Sequence, residues 1–391
     1  MRKNLAYLIS SSIKKVVGKG AHQLHEPSLS KRELEYVSKT IKTRFVSSAG
    51  KYVNAFEKKF KRYVKSKNAI AVTSGTQGLY ISLLACGVEK EDEVLVPSLT
   101  FIGTVNAIKN LGATPHFIDS NIKKNFGVDC AKLEKYLSKI VILKNGECFN
   151  KKTKRRIKVI LPVHIFGHPC DIINVIKIAK KYKLKVVEDA AEAVGSFYEK
   201  KHLGTFGDIG CFSFNGNKII TTGGGGMIVL NNNLLAKRIK HLTTTAKLSH
   251  KWEYIHDEIG FNLRMPNINA ALGLAQLERI DLFIKAKRKL FKKYYTELKN
   301  IKEISLFKES TNSKSNYWLQ TIVLDKKSSS KKNIILKKLH KAKIFSRPAW
   351  KLISDLKPYK NCSKMNLSGA KEIYNRIINI PSSQEIYLKK I

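Results

Sequence analysis

One alternation limits what this chain can fold into more than any other feature. Residues 69–72 form a short apolar run, 77–86 an apolar segment of helical length, and 93–96 a second short run. The pattern continues with a helix at 101–111, strands at 114–118 and 159–163, a helix at 171–182 and a strand at 184–187. Strands alternating with helices predict an α/β fold, a mostly parallel sheet covered by helices. In such sheets ligands bind beyond the carboxyl ends of the strands, so the residues following each strand are the first to search.

Four strand ends carry polar or aromatic groups. Thr73-Ser74-Gly75-Thr76 leads straight from the first strand into a helix. Free N–H groups at a helix start, with a glycine allowing close approach, suit a phosphate, although the tetrapeptide alone also suits an ordinary N-cap. Pro97-Ser-Leu-Thr-Phe101 places a ring at the sheet edge, for core packing or for stacking on a planar ligand. His164 follows 159–163 and is a candidate ligand contact. After 184–187 comes Glu188-Asp189-Ala-Ala-Glu192, and a carboxylate beyond a continuous apolar strand needs a partner when buried.

Residues 213–226 read Ser-Phe-Asn-Gly-Asn-Lys-Ile-Ile-Thr-Thr-Gly-Gly-Gly-Gly, between two further strand-like runs. Lys218 thus lies in a polar, glycine-bearing turn. A lysine that condenses with an aldehyde has to be partly desolvated, because the neutral amine is the nucleophile. Its ordinary pKa is about 10.4, so service as a base near neutrality requires burial. A phosphate cradle, an aromatic face, a carboxylate at a strand end and a lysine on a turn are together what pyridoxal 5′-phosphate demands. No Cys-x-x-Cys pair or other zinc spacing occurs, so no metal is expected.

Charge is the competing signal. The 391 residues include 73 Lys+Arg against 30 Asp+Glu, a net +43. The lysines are spread along the whole chain, and the densest cluster, residues 151–158, has no interleaved aromatics. Attraction of anionic small molecules follows more directly than nucleic-acid binding. Six scattered cysteines read as reduced thiols, and no segment has the ~18 apolar residues that would span a bilayer; a cytoplasmic protein without a membrane partner is expected.

Taken together, Ser74-Gly-Thr76, Pro97–Phe101, Pro162-Val-His164, Glu188–Glu192, Gly207-Asp208, Ser213–Lys218, Gly-Gly-Met227 and Gly260-Phe-Asn-Leu-Arg264 resemble the DegT/DnrJ/StrS nucleotide-sugar aminotransferases. The resemblance covers roughly residues 45–350. It implies the type I aspartate-aminotransferase fold and a homodimer with shared active sites. It further implies that Lys218 is the Schiff-base lysine and that Asp189 pairs with the pyridinium. By the same likeness Gly75, Thr76 and Ser213 hold the phosphate, Phe101 stacks on the ring, and Asn262 reaches the partner subunit's phosphate. Glu192 stands where the family usually has glutamine near the phenolic oxygen.

The wording of Phe166-Gly-His-Pro-Cys170, residues 213–227, His241-Leu-Thr-Thr-Thr-Ala246 and His256-Asp257 is similar to the legionaminic-acid-pathway (LegC-like) subgroup. That likeness implies amino transfer from L-glutamate to C4 of a UDP-linked 4-keto-6-deoxy-N-acetylhexosamine. A GDP- or dTDP-linked keto sugar is the alternative, ahead of a non-catalytic basic binding protein of the same fold. A sister branch that dehydrates sugars has histidine at the Lys218 position, so the lysine favours transamination. The domain reading is an N-terminal arm at 1–50, a large cofactor domain at 51–265 and a small α/β domain at 266–391. A helix is expected at 31–43 behind Ser30, a single amphipathic helix at 276–300, a strand at 317–324 and a helix at 331–340. In Arg347-Pro-Ala-Trp350 the arginine suits a diphosphate or carboxylate, or the segment is a rigid connection. The residues from about 351 onward carry no readable signal.

Overall fold

The computed structural model describes residues 4–122 and 124–388. Seven strands of its nine-stranded large sheet form one continuous path, β1 (Asn68–Val72), β2 (Glu93–Pro97), β3 (Thr114–Ile118), β4 (Arg156–Ile160), β5 (Lys185–Asp189), β6 (Ile209–Ser213) and β7 (Gly226–Leu230), in the order β1-β7-β6-β5-β4-β2-β3, and a hairpin of Val141–Lys144 and Glu147–Asn150 joins at β4. Along the seven-strand path neighbours are parallel except at β7, which runs antiparallel to both β1 and β6. The reason is local. β7 returns directly from β6 through the turn carrying Lys218, with no crossover helix to restore direction. β2, β3 and β7 are buried along their whole length, as a sheet covered on both faces requires.

Helix α1 (Leu5–Val17), α2 (Lys31–Lys42), α3 (Lys51–Val64), α4 (Gly75–Ala85) and α5 (Ile102–Asn110) come from the first third of the chain. Ser30 caps α2 in a reciprocal capping box with Glu33. The starts of α4 and α5 lie beyond the carboxyl ends of β1 and β2. Gly78 is what seats α4: a Cβ there would already touch Ile228 and Val72 at 3.4 Å, so a larger side chain would lift the helix off the sheet.

The second sheet comprises β8 (Ile304–Leu306), β9 (Gln320–Leu324), β10 (Arg347–Pro348) and β11 (Ile377–Ile380), antiparallel in the order β8-β9-β11-β10. The expected single helix at 276–300 is two, α6 (Asn267–Glu278) and α7 (Ile280–Leu298). They part at Arg279, whose guanidinium is drawn to Glu33 Oε1 at 3.0 Å and to the carbonyl of Ser28. The N-terminal stretch carries an apolar face of its own. Leu5, Ile9, Ile13 and Val16 form one buried face of α1, packed with Leu290, Tyr294 and Leu298 of α7 and with Ile335 and Leu339 of α8 (Lys332–Lys341). Burial of each such side chain is worth roughly 1.5–3 kcal/mol. Ser10–Ser12 and the neighbouring lysines mask this spacing in the sequence. Among the described residues no helix is long and apolar enough to cross a membrane.

Candidate active site

A cavity of about 230 Å³ opens at the carboxyl ends of β1, β2, β5 and β6. It gathers seven of the sequence candidates: Gly75, Thr76, Phe101, Asp189, Glu192, Ser213 and Lys218. They arrive on four segments that each end or follow a strand, 75–76, 101, 189–192 and 213–218, which is why residues so far apart in the chain meet.

The α4 start forms one wall. Ser74 caps the helix, accepting from Gln77 N at 3.1 Å, and the first N–H groups of a helix have no carbonyl behind them. A Cβ at Gly75 would stand 2.8 Å from Ser213 Cβ, so only glycine lets β6 and α4 close on one another here. The result is a small cradle of N–H groups and hydroxyls at the positive end of a helix, suited to a phosphate. Phe101, at the start of α5, leaves 53% of its surface exposed and meets Trp350 edge-on at 6.4 Å.

Asp189 forms the floor. Its Oδ2 accepts from Thr104 Oγ1 at 2.7 Å and its Oδ1 from Ala191 N at 3.0 Å. Burial pushes this carboxyl up, and those two hydrogen bonds together with the Lys218 charge only partly offset it. An anion solvated by two neutral donors in a closed site is short of a cation, and a protonated pyridine nitrogen is such a cation.

Lys218 faces this floor, with its side chain 12% exposed and Nζ 3.2 Å from Glu192 Oε1. Glu192 Oε2 accepts from Phe166 N at 2.8 Å. Burial raises the Glu192 carboxyl, and Asp189 adds to the rise, while Lys218 and the Phe166 N–H act against it. The donor set therefore fits pyridoxal phosphate at three points: cradle, floor and amine.

Three candidates lie elsewhere. His164 is corrected from ligand contact to buried scaffold: Nδ1 accepts from Cys170 N at 3.2 Å and Nε2 meets Glu188 Oε2 at 2.9 Å, leaving neither nitrogen for a ligand. A histidine directly after a strand looks like a site residue, but here the neighbouring strand's buried acid claims it. Arg347 is exposed on the edge strand β10, its backbone registered with Asn379, away from the cavity. Asn262 is likewise exposed and outside its own chain's cavity, bridged to Thr244. In the basic cluster, Arg155, Arg156 and Lys158 are spent on Glu91, Asp92 and Glu147.

Sequence reasoning missed Thr104 and Trp318. Thr104 is a polar residue on the buried face of α5, a signal that was there to read. Trp318 reaches the cavity from the segment just ahead of β9, and its Nε1–H donates to Asn217 O at 2.8 Å beside the lysine. Only the tertiary fold brings these two segments together.

Comparison with known proteins agrees with this chemistry. The chain is 39% identical over 300 residues to the GDP-perosamine synthase of Escherichia coli O157:H7, covering 77% of each. It is 29% identical over 364 residues to the UDP-4-amino-4,6-dideoxy-N-acetyl-beta-L-altrosamine transaminase of Campylobacter jejuni, covering 93% of this chain and 92% of that one. Helicobacter pylori PseC, an aminotransferase involved in the biosynthesis of pseudoaminic acid, superposes with a TM-score of 0.83 at 26% identity, over 93% of this chain and 94% of PseC. Residues 27–391 match the DegT/DnrJ/EryC1/StrS family: the chain belongs to this family of sugar aminotransferases, with the type I fold and pyridoxal phosphate as cofactor.

Proposed function

We propose that this aminotransferase moves the amino group of L-glutamate to C4 of a UDP-linked 4-keto-6-deoxy-N-acetylhexosamine, in the making of a legionaminic-type or other surface amino sugar. The observation that carries the reading is Lys218 Nζ standing in one cavity with the Asp189 carboxylate and the Ser74–Thr76 cradle. Bound pyridoxal phosphate supplies the electron sink that lets an amino group leave one carbon and join another. The chain's residues hold and orient it. Ser74, Gly75, Thr76 and Ser213 would hold the phosphate, Phe101 would cover the ring, and Asp189 would keep the ring nitrogen protonated. Lys218, once free, holds and moves the proton between the carbon atoms that exchange the amine. Trp318 and Trp350 wall off water on the small-domain side.

The working unit in this reading is a homodimer, each cavity completed by Asn262 of the partner subunit. Supporting it, the loop before Asn262 exposes Trp252, Tyr254 and Ile259 at 70%, 81% and 87%, more apolar surface than a free loop ordinarily shows.

The nucleotide has a second reading. The relative at 39% identity is a GDP-perosamine synthase, which supports a GDP-linked keto sugar as the alternative substrate. Incubating the purified protein with glutamate and UDP-4-keto-6-deoxy-N-acetylglucosamine, and in parallel with GDP-4-keto-6-deoxymannose, separates them. The amino sugar is read by mass. Product from the GDP sugar alone replaces the first reading with the second, and product from neither removes both. Lys218→Ala is expected to abolish turnover with fold and oligomeric state unchanged.

A further inference from the structure

The free amine of Lys218 is held on two sides. Its Nζ lies 4.0 Å from the centroid of the Trp318 ring and 3.2 Å from Glu192 Oε1. Both walls are themselves fixed. Trp318 donates through Nε1 to Asn217 O, and its carbonyl accepts from the buried Lys287 Nζ at 3.0 Å. Asn316 ties the walls together: its Nδ2 donates to Glu192 O at 2.8 Å and its Oδ1 accepts from Trp318 N at 2.8 Å. A ring face and a carboxylate both favour the ammonium form of an amine, by cation–π attraction and by charge.

We propose that Glu192 and Trp318 form a holding site for the free Lys218 amine, in which the amine rests as an ammonium ion and Glu192 accepts its proton when the neutral amine is needed. The proposal rests on the reading of Lys218 as the reacting amine. In the transfer an Nζ–H bond breaks and an Oε1–H bond forms, leaving a neutral amine beside a neutral acid. Burial makes that uncharged pair easier to reach, since it raises the Glu192 carboxyl against the opposing pull of the Lys218 charge. The other titratable groups around the pair are Asp189 at the end of β5, His25 ahead of α2 and Lys287 on α7. Burial pushes the last two down toward their uncharged forms. Trp318 is in this view a positioning residue, delivered by the small domain to the turn that carries the lysine.

The test is pH-dependent trace acetylation of the full-length, cofactor-free chain, following the Lys218 peptide by mass. In Glu192→Gln and in Trp318→Leu the labelling profile is expected to move to lower pH by about one unit, roughly tenfold faster labelling at a fixed neutral pH. Trp318→Phe, which keeps a ring face, stays within about threefold of wild type. A side chain that merely shields the lysine would change the plateau and leave the midpoint in place. Midpoints of Glu192→Gln and Trp318→Leu that coincide with wild type overturn the proposal. Near-ultraviolet circular dichroism reports whether each variant is folded, and Trp318→Phe carries the ring-face comparison should Trp318→Leu unfold. Turnover by Lys218→Ala, assayed separately, would instead remove the reading on which the proposal rests.

Discussion

Glu188→Gln tests the scaffold under the site, and its cost can be worked from the contacts. Glu188 is fully buried, and four N–H groups converge on it. Oε1 accepts from Phe206 N at 2.6 Å and Gly207 N at 2.7 Å; Oε2 accepts from Gly204 N at 2.8 Å and faces His164 Nε2 at 2.9 Å. Because His164 Nδ1 accepts the Cys170 N–H, the ring proton sits on Nε2 and that nitrogen donates as well. A glutamine amide turned either way keeps two of these donors and presents its own NH₂ to the other two. The histidine cannot change tautomer to help without orphaning the Cys170 N–H. Two charge-assisted hydrogen bonds at ~1.5–3 kcal/mol each give a loss of roughly 3–6 kcal/mol, against a typical domain stability of about 5–15 kcal/mol. Urea unfolding followed by circular dichroism reads this as a lower midpoint at unchanged slope. Burial pushes this carboxyl up, but the His164 contact and the Gly207 and Gly204 N–H groups outweigh it and the net shift is downward. The excess of wild type over Glu188→Gln is therefore complete above the unfolded-state value near 4.5 and shrinks as pH falls below it. Glu192→Gln, with one N–H on its carboxylate, should stay within about 1 kcal/mol of wild type. A Glu188→Gln midpoint as close to wild type as that would refute the donor-counting argument.

Two other perturbations follow from the same contacts. Thr104→Val keeps the shape of α5 but removes the hydroxyl on Asp189 Oδ2, leaving the Ala191 N–H as its remaining hydrogen-bond donor; a loss of ~1.4 kcal/mol, about tenfold in kcat, is expected, and unchanged kcat would detach Thr104 from the site. Acid should destabilise the fold through two buried histidines, since burial drives His168 down to about 3 and His202 to about 4. Both must be neutral when folded while the unfolded chain binds protons below about 6.5, so stability falls as pH drops from about 6.5 toward 4, by roughly 1.4 kcal/mol per unit per histidine. A thermal midpoint that is flat across that interval would contradict this.

The parts of the molecule legible in the sequence are those decided locally. The strand at 114–118 is read without error, and the other strands that the sequence predicts lie within a few residues of their place, because apolar runs bounded by turn residues carry their own signal. Lys218 and Asp189 stood out because each sits where a strand stops and its surroundings change abruptly. What the sequence did not give up depends on partners far along the chain. His164 and Glu188 neutralise each other's claim to a functional role only once β4 and β5 lie side by side. The sequence places Trp318 in a strand, yet the strand begins at Gln320 and the Trp318 ring lies against the lysine. The unread tail after residue 351 supplies β11, which lies between β9 and β10; four residues followed at once by Pro381 are too short to show a period.

Glu188, Asp189 and Glu192 share one short segment and nearly equal burial, so their environments differ mainly in how many donors each has been given. Glu188 has three backbone N–H groups and an imidazole, all fixed in place. None of these can leave, and the carboxylate stays ionised as a strut between β5 and the 204–207 turn. Asp189 has one hydroxyl and one N–H, too few to offset burial, so its charge is fully stabilised only when a cation enters the cavity. Glu192 has one N–H and one movable ammonium, so its protonation follows the position of Lys218. The segment thereby divides labour by donor count. The acid with the most fixed donors bears structure, and in the proposed function the intermediate one pairs with a cationic ring while the one whose counter-charge can move exchanges a proton. Exchanging Glu192 for glutamine should remove proton exchange and spare the fold, whereas the same change four residues earlier should do the reverse.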